Sequence, residues 1–162
     1  MKNILCTGFK GKLNSSNILL YNIIKSNKID CLYIENDFNK SEIQLIEKIK
    51  NNKYDFVFSF GQKPIIKSIY IEKIGTNGLV KMETNYNYIE LIIFLEKYFK
   101  IKISENAGKY LCNNIYYKGL NYIYNNNLKT KMVFIHIPKI NNIDIKYFSK
   151  KVIEYFEGII KE

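Results

Sequence analysis

Asp55-Phe56-Val57-Phe58-Ser59-Phe60 is an apolar, aromatic run of strand length that stops at Gly61. On both sides of it, short β-like runs alternate with longer stretches whose apolar residues recur at helical spacing. Toward the N-terminus, residues 3–7 predict a first buried strand ending at Gly8. Asn14-Ser15-Ser16 offers N-cap residues ahead of a stripe of Leu19, Leu20, Ile23 and Ile24. Residues 30–34 predict a second strand, and residues 41–51 a helix carrying Ile43, Ile46 and Ile49. Toward the C-terminus, residues 68–74 predict a strand with Ile69, Ile71 and Lys73 on one face. Residues 75–82 read as a loop, 86–99 as a helix and 101–104 as a short strand. Residues 107–125 predict a long helix. Residues 131–137 predict a strand that Pro138 stops, because proline has no N–H for the ladder. A closing helix follows over 144–161, with Asp144 as N-cap.

This order predicts an α/β fold with three layers, α/β/α, around a mostly parallel central sheet. No repeat, linker or internal boundary interrupts the 162 residues, so a single domain over 1–162 is expected. A chain of this size buries about two-thirds of its unfolded surface, enough for a core without metals or disulfides. Three widely spaced cysteines, Cys6, Cys31 and Cys112, fit reduced thiols; they suggest neither a disulfide framework nor a zinc site. No cofactor is implied. No apolar run reaches the roughly 18 to 20 residues of a membrane span. The N-terminal residues do not read as a signal peptide, so a cytoplasmic setting with no membrane partner is expected.

The net charge of +10 invites a nucleic-acid reading, but all 25 basic residues are lysines spread along the chain. Arginine, the favoured fork for base and phosphate recognition, is absent. A solvated lysine surface and no nucleic-acid partner are expected. Tyr116, Tyr117, Tyr122 and Tyr124 fall on a predicted helix, where packing explains them better than base stacking.

In open parallel sheets, sites form beyond the carboxyl ends of strands. Thr7-Gly8-Phe9, Gly61-Gln62 and His136 stand at such ends, and Cys112 stands in the first turns of a helix that follows one. His136 is the only histidine. A thiol, an imidazole and an acid are the parts of a thiolate nucleophile, its base and the group that orients the base. A helix start and a neighbouring imidazole are expected to lower the Cys112 thiol, and helix amides there suit an oxyanion. Taken alone, Cys6 and Cys31 read as core, and Glu72 reads equally well as a solvent-facing strand residue.

Ser104-Glu105-Asn106-Ala107-Gly108-Lys109-Tyr110-Leu111-Cys112-Asn113 resembles the nucleophile motif of the pyroglutamyl peptidase I family, the pyrrolidone-carboxylate peptidases. The family's histidine strand is matched by Phe134-Ile135-His136-Ile137-Pro138. Its acidic segment is matched by Gly61, Gln62, Ile69, Glu72 and Asn77, and its N-terminal Thr-Gly-Phe by Thr7-Gly8-Phe9. The resemblance runs from residue 4 to about 138, in a form shortened after Asn77. Lys63-Pro64-Ile65-Ile66 stands where the family has Ala-Gly-Gly-Arg.

The resemblance implies removal of an N-terminal pyroglutamate from a peptide through an acyl-enzyme. Cys112 would be the nucleophile, His136 the general base and acid, and Glu72 the orienting carboxylate. Phe9, Gln62, Tyr110 and Leu111 would contact the substrate. A homo-oligomer is also compatible with the family. The alternative is a family-like fold with weak or lost peptidase activity that binds a ligand or partner.

Overall fold

Strands with apolar side chains on both faces take the centre of the sheet, because only there are both faces covered. The computed structural model describes residues 1–162. The strands are β1 (Ile4–Phe9), β2 (Asp30–Ile34), β3 (Phe56–Gln62), β4 (Ile69–Glu72), β5 (Ile74–Asn77), β6 (Val80–Glu83), β7 (Ile101–Ser104) and β8 (Lys131–Ile137). The helices are α1 (Ser15–Ile23), α2 (Phe38–Asn51), α3 (Ile89–Leu95), α4 (Leu111–Asn125) and α5 (Ile145–Lys161). Six strands form one sheet in the order β2-β1-β3-β8-β4-β7. β2, β1, β3 and β8 run parallel; β4 lies antiparallel to β8 and parallel to β7. β5 and β6 form a separate antiparallel hairpin.

Alternation along the strands sends successive side chains into two different cores. Cys6, Phe58, Phe60, Val133 and Ile135 pack with residues of α1, α3 and α5 on one face. Leu5, Val57, Met132 and Phe134 pack with residues of α2 and α4 on the other. This is the expected three-layer α/β/α arrangement. Local sequence explains the helix starts: Asn14, Asp37 and Asp144 cap α1, α2 and α5 by accepting from Ser16, Lys40 and Tyr147 backbone N–H groups.

Four expectations need correction. The stretch read as a loop over 75–82 is mostly the β5–β6 hairpin, closed by a two-residue turn in which Gly78 takes φ 58°. The strand expected over 68–74 divides at Lys73 into β4 and the start of β5. The helix expected over 86–99 is regular only over Ile89–Leu95. The helix expected from 107 begins at Leu111, because Gly108 has φ 89°, outside the helical region. That later start places Cys112 at the second helical residue.

Candidate active site

His136 is the penultimate residue of β8, and its register partner on β3 is Gly61. Neighbouring strands lie about 4.8 Å apart, so these two backbones are in contact distance. Glu72 ends β4, opposite Phe134, with Tyr70 opposite His136. Directly opposed residues share a face, so the Glu72 carboxylate reaches diagonally across the pair to the imidazole. Its Oε1 stands 2.7 Å from His136 Nδ1.

Both groups are closed to solvent, Glu72 at 0% exposure and His136 at 3%. Removing a carboxylate from water costs several kcal/mol unless a partner compensates. Glu72 has one partner, and its Oε2 has none. Such a group is more expensive than an apolar side chain, which marks the position as more than strand packing. A carboxylate only accepts, so the proton of the pair sits on Nδ1 and leaves Nε2 as the basic nitrogen. Nε2 has no hydrogen bond within the chain and is not among the fully buried orphan atoms.

Cys112 is brought to this pair by a shaped loop and two anchors. Ser104 Oγ accepts from the Asn106 N–H at 3.2 Å, and Asn106 Oδ1 accepts from the Gly108 N–H at 3.0 Å. These side chains turn the backbone locally, and Gly108 tolerates the positive φ that results. Tyr110 takes the N-cap position, and α4 begins. Tyr116 Oη then donates to the Glu72 carbonyl at 2.7 Å, tying α4 to the strand that carries the acid. Asn113 closes a double pairing with Thr76: its Oδ1 accepts from the Thr76 N–H at 2.8 Å, and its Nδ2 donates to the Thr76 carbonyl at 2.9 Å.

The sulfur rests on Gly61. A Cβ at Gly61 would lie 2.5 Å from Cys112 Sγ and 2.9 Å from Phe134 Cζ. Gly61 is therefore the space that admits the sulfur beside His136. The thiol and imidazole are not hydrogen-bonded to one another in this arrangement. Burial pushes the Cys112 thiol up to about 12, and the Glu72 charge adds to the rise; its own backbone N–H and Lys63 oppose it. The expected lowering by the helix start is thus present but outweighed by burial. A thiol held that high is neutral near pH 7. The first amides of α4, at Leu111, Cys112 and Asn113, have no intrahelical acceptor, and that of Cys112 acts on the sulfur.

The other named positions divide. Phe9 is 3% exposed and packs in the core under α4, so its ring is closed to solvent here, while its N–H donates to Ser16 Oγ at 3.0 Å. Gln62 Oε1 accepts from the Ser15 N–H at 3.0 Å, which commits its carbonyl to the start of α1. Tyr110 is 80% exposed, and Leu111 is half-buried beside Cys112. A cleft of about 340 Å³ opens between the hairpin and the start of α4, bounded by Phe38, Thr76, Gly108, Tyr110 and Asn113. A larger one of about 500 Å³ lies near Asn3, Tyr54 and Thr130, where the strands begin, at the opposite rim from the sulfur. No three His, Cys, Asp or Glu side chains come together as a metal-ligand set. Sequence reading missed Gly61 as the seat of the sulfur, and Asn113 and Tyr116 as anchors. Asn113 carried a signal as the residue after the cysteine in the motif, and Gly61 as a strand end in the matched acidic segment; Tyr116 carried none.

Residues 94–153 match the family model described as pyroglutamyl peptidase. Two pyrrolidone-carboxylate peptidases of Caldanaerobacter subterraneus subsp. tengcongensis are 53% and 56% identical to the chain over 36 residues. Those matches cover 22% of this chain and 18% of the relatives' length. The fold is similar over a much longer span. The pyrrolidone carboxyl peptidase of Fervidobacterium islandicum superposes with a TM-score of 0.85 at 20% identity, covering 99% of each chain. Pyroglutamyl peptidase I of Bacillus amyloliquefaciens superposes with a TM-score of 0.85 at 19% identity, covering 94% of this chain and 93% of that one. The chain is thus similar in sequence to the pyroglutamyl peptidase model over residues 94–153, and over nearly all of its length it shares the fold of the solved pyrrolidone carboxyl peptidases.

Proposed function

We propose that the chain is a cysteine peptidase that removes N-terminal pyroglutamate from peptides. The observation that supports this most is the seating of Cys112 Sγ on Gly61, the strand neighbour of an imidazole held by a buried carboxylate. In this reading His136 Nε2 takes the thiol proton as the sulfur attacks the carbonyl carbon of the pyroglutamyl peptide bond. Amides at the start of α4 receive the developing oxyanion. The carbon–nitrogen bond then breaks, and the imidazolium returns its proton to the leaving amine. Water, deprotonated by the same imidazole, hydrolyses the thioester and restores the thiol. Glu72 keeps Nδ1 protonated and the ring in place throughout. With no helix long and apolar enough to cross a membrane, and with its three cysteines free, a reducing cytoplasmic setting is part of the proposal.

The test is amine release from a pyroglutamyl reporter amide, with prolyl and N-acetylalanyl amides as controls. The expected result is turnover of the pyroglutamyl compound alone, abolished by a thiol-alkylating reagent. Folded, reduced protein without turnover would overturn it. That outcome would favour the second reading, a binding protein on the same fold. The closed ring of Phe9 and the engaged carbonyl of Gln62 are the observations on that side.

A further inference from the structure

We propose that Lys63 is the cation of the Cys112 site, its ammonium held where it steadies negative charge on the sulfur. This rests on reading Cys112 as the nucleophile. Lys63 stands two residues beyond Gly61, and its N–H donates to the Ile137 carbonyl at 2.9 Å, carrying the β3–β8 ladder one step past the end of β3. Alternation returns its side chain to the face that Gly61 offers to the sulfur. The side chain then crosses the front of the site. Its Nζ lies 3.5 Å from the Asn106 carbonyl, in the turn that leads into α4. The same Nζ lies 5.6 Å from the centre of the Tyr70 ring, whose residue is the register partner of His136. Lys63 is thus tied to β8 through its backbone, and its ammonium lies near β4 and the loop before α4.

The charge of Lys63 is also uncompensated. No carboxylate lies within salt-bridge distance of it, whereas Lys73, at the other side of the loop, is engaged by Glu83 at 3.8 Å and Glu105 at 3.4 Å. With no arginine in the chain, a lysine must serve if any cation does. The ionisable groups around the site are His136 on β8, Glu72 and Tyr70 on β4 and Tyr116 on α4, with Lys102 Nζ also 5.9 Å from the Tyr70 ring centre. Glu72 opposes a thiolate, and Lys63 favours it. The ammonium thus offsets part of what the buried acid does to its neighbour.

The experiment is the pH dependence of Cys112 alkylation by neutral iodoacetamide, read from the mass of the peptide containing Cys112. Wild type is compared with Lys63→Gln and Lys63→Arg. Gln retains a donor for the Asn106 carbonyl but carries no charge. The expected result is a profile displaced to higher pH in Lys63→Gln, with alkylation roughly three- to tenfold slower at a fixed pH below the midpoint. Lys63→Arg should lie within about twofold of wild type, and raised salt should narrow the gap between wild type and Lys63→Gln. A Lys63→Gln profile that overlays wild type, or a Lys63→Arg profile as displaced as that of Gln, would overturn the proposal. Alkylation needs no peptide substrate, so the role of Lys63 is tested even in a protein without pyroglutamyl turnover.

Discussion

Gly61 and Cys112 share a space that holds no further carbon. A methyl at Gly61 would meet the sulfur at 2.5 Å and the Phe134 ring at 2.9 Å, so one of them must move. Overpacking of this kind costs about 1–3 kcal/mol. Displacement of a nucleophile by about 1 Å costs on the order of a hundredfold in rate. Gly61→Ala is therefore expected to fold with a modestly lower urea midpoint and to lose about 100-fold in turnover of a pyroglutamyl reporter. Full turnover in that variant would mean that the sulfur works from elsewhere. Cys112 and His136 were legible as candidates from their types and positions, and Glu72 only through the family resemblance, because alone it reads equally well as a solvent-facing strand residue. Gly61 was legible as the end of a strand and as a matched position of the family's acidic segment, but not as the seat of the sulfur. Its contact with Sγ depends on the β3–β8 register and on the depth of α4 over the sheet, and neither is written in a local pattern. The state of the thiol was misjudged for the same reason, since a helix start is visible in sequence and the burial that outweighs it is not.

The β5–β6 hairpin and α4 act together. Asn113 is 8% exposed and spends its side chain on Thr76, so the first turn of α4 is pinned to the hairpin one residue after the cysteine. Asn113→Ala leaves the Thr76 N–H and carbonyl without those partners, a loss of about 1–3 kcal/mol. The expected outcome is faster amide hydrogen exchange in residues 74–83 and faster alkylation of the less buried Cys112, with β1 and β3 unchanged. Unchanged exchange in the hairpin would show that Asn113 does not hold it. This hairpin escaped the sequence reading because Gly75, Asn77 and Gly78 are all turn-formers, and together they read as loop. The available signal was a glycine at the first position of a two-residue turn between β-competent runs. Helix and strand order elsewhere was legible because long apolar periods override local ambiguity. The start of α4 was not, since Ala107 and Tyr110 favour no earlier stop, and only the positive φ of Gly108 enforces one.

Across the whole molecule, burial of thiols couples stability to alkaline pH. Burial pushes Cys31 and Cys112 from 9.0 up to about 12, and raises Cys6 well above 9.0. Each thiol is neutral in the folded chain and ionises near 9 once unfolded. The native state thus holds more protons between these values, and stability falls as pH rises through that window. Urea unfolding under reducing conditions is expected to give a lower midpoint at pH 10.5 than at pH 8. Cys6→Ala and Cys31→Ala should flatten the difference, whereas equal midpoints in wild type would refute the coupling. The same close packing around the sheet sets the thiol, the imidazole and the carboxylate at one rim, from β3, β8, β4 and α4. Its chemistry is most directly tested by turnover of a pyroglutamyl reporter in Cys112→Ala and His136→Ala, with circular dichroism to verify the fold. Each folded variant is expected to lose at least about a thousandfold in kcat/KM, as removal of a nucleophile or its base does. Turnover in folded Cys112→Ala equal to that of the unaltered chain would contradict it.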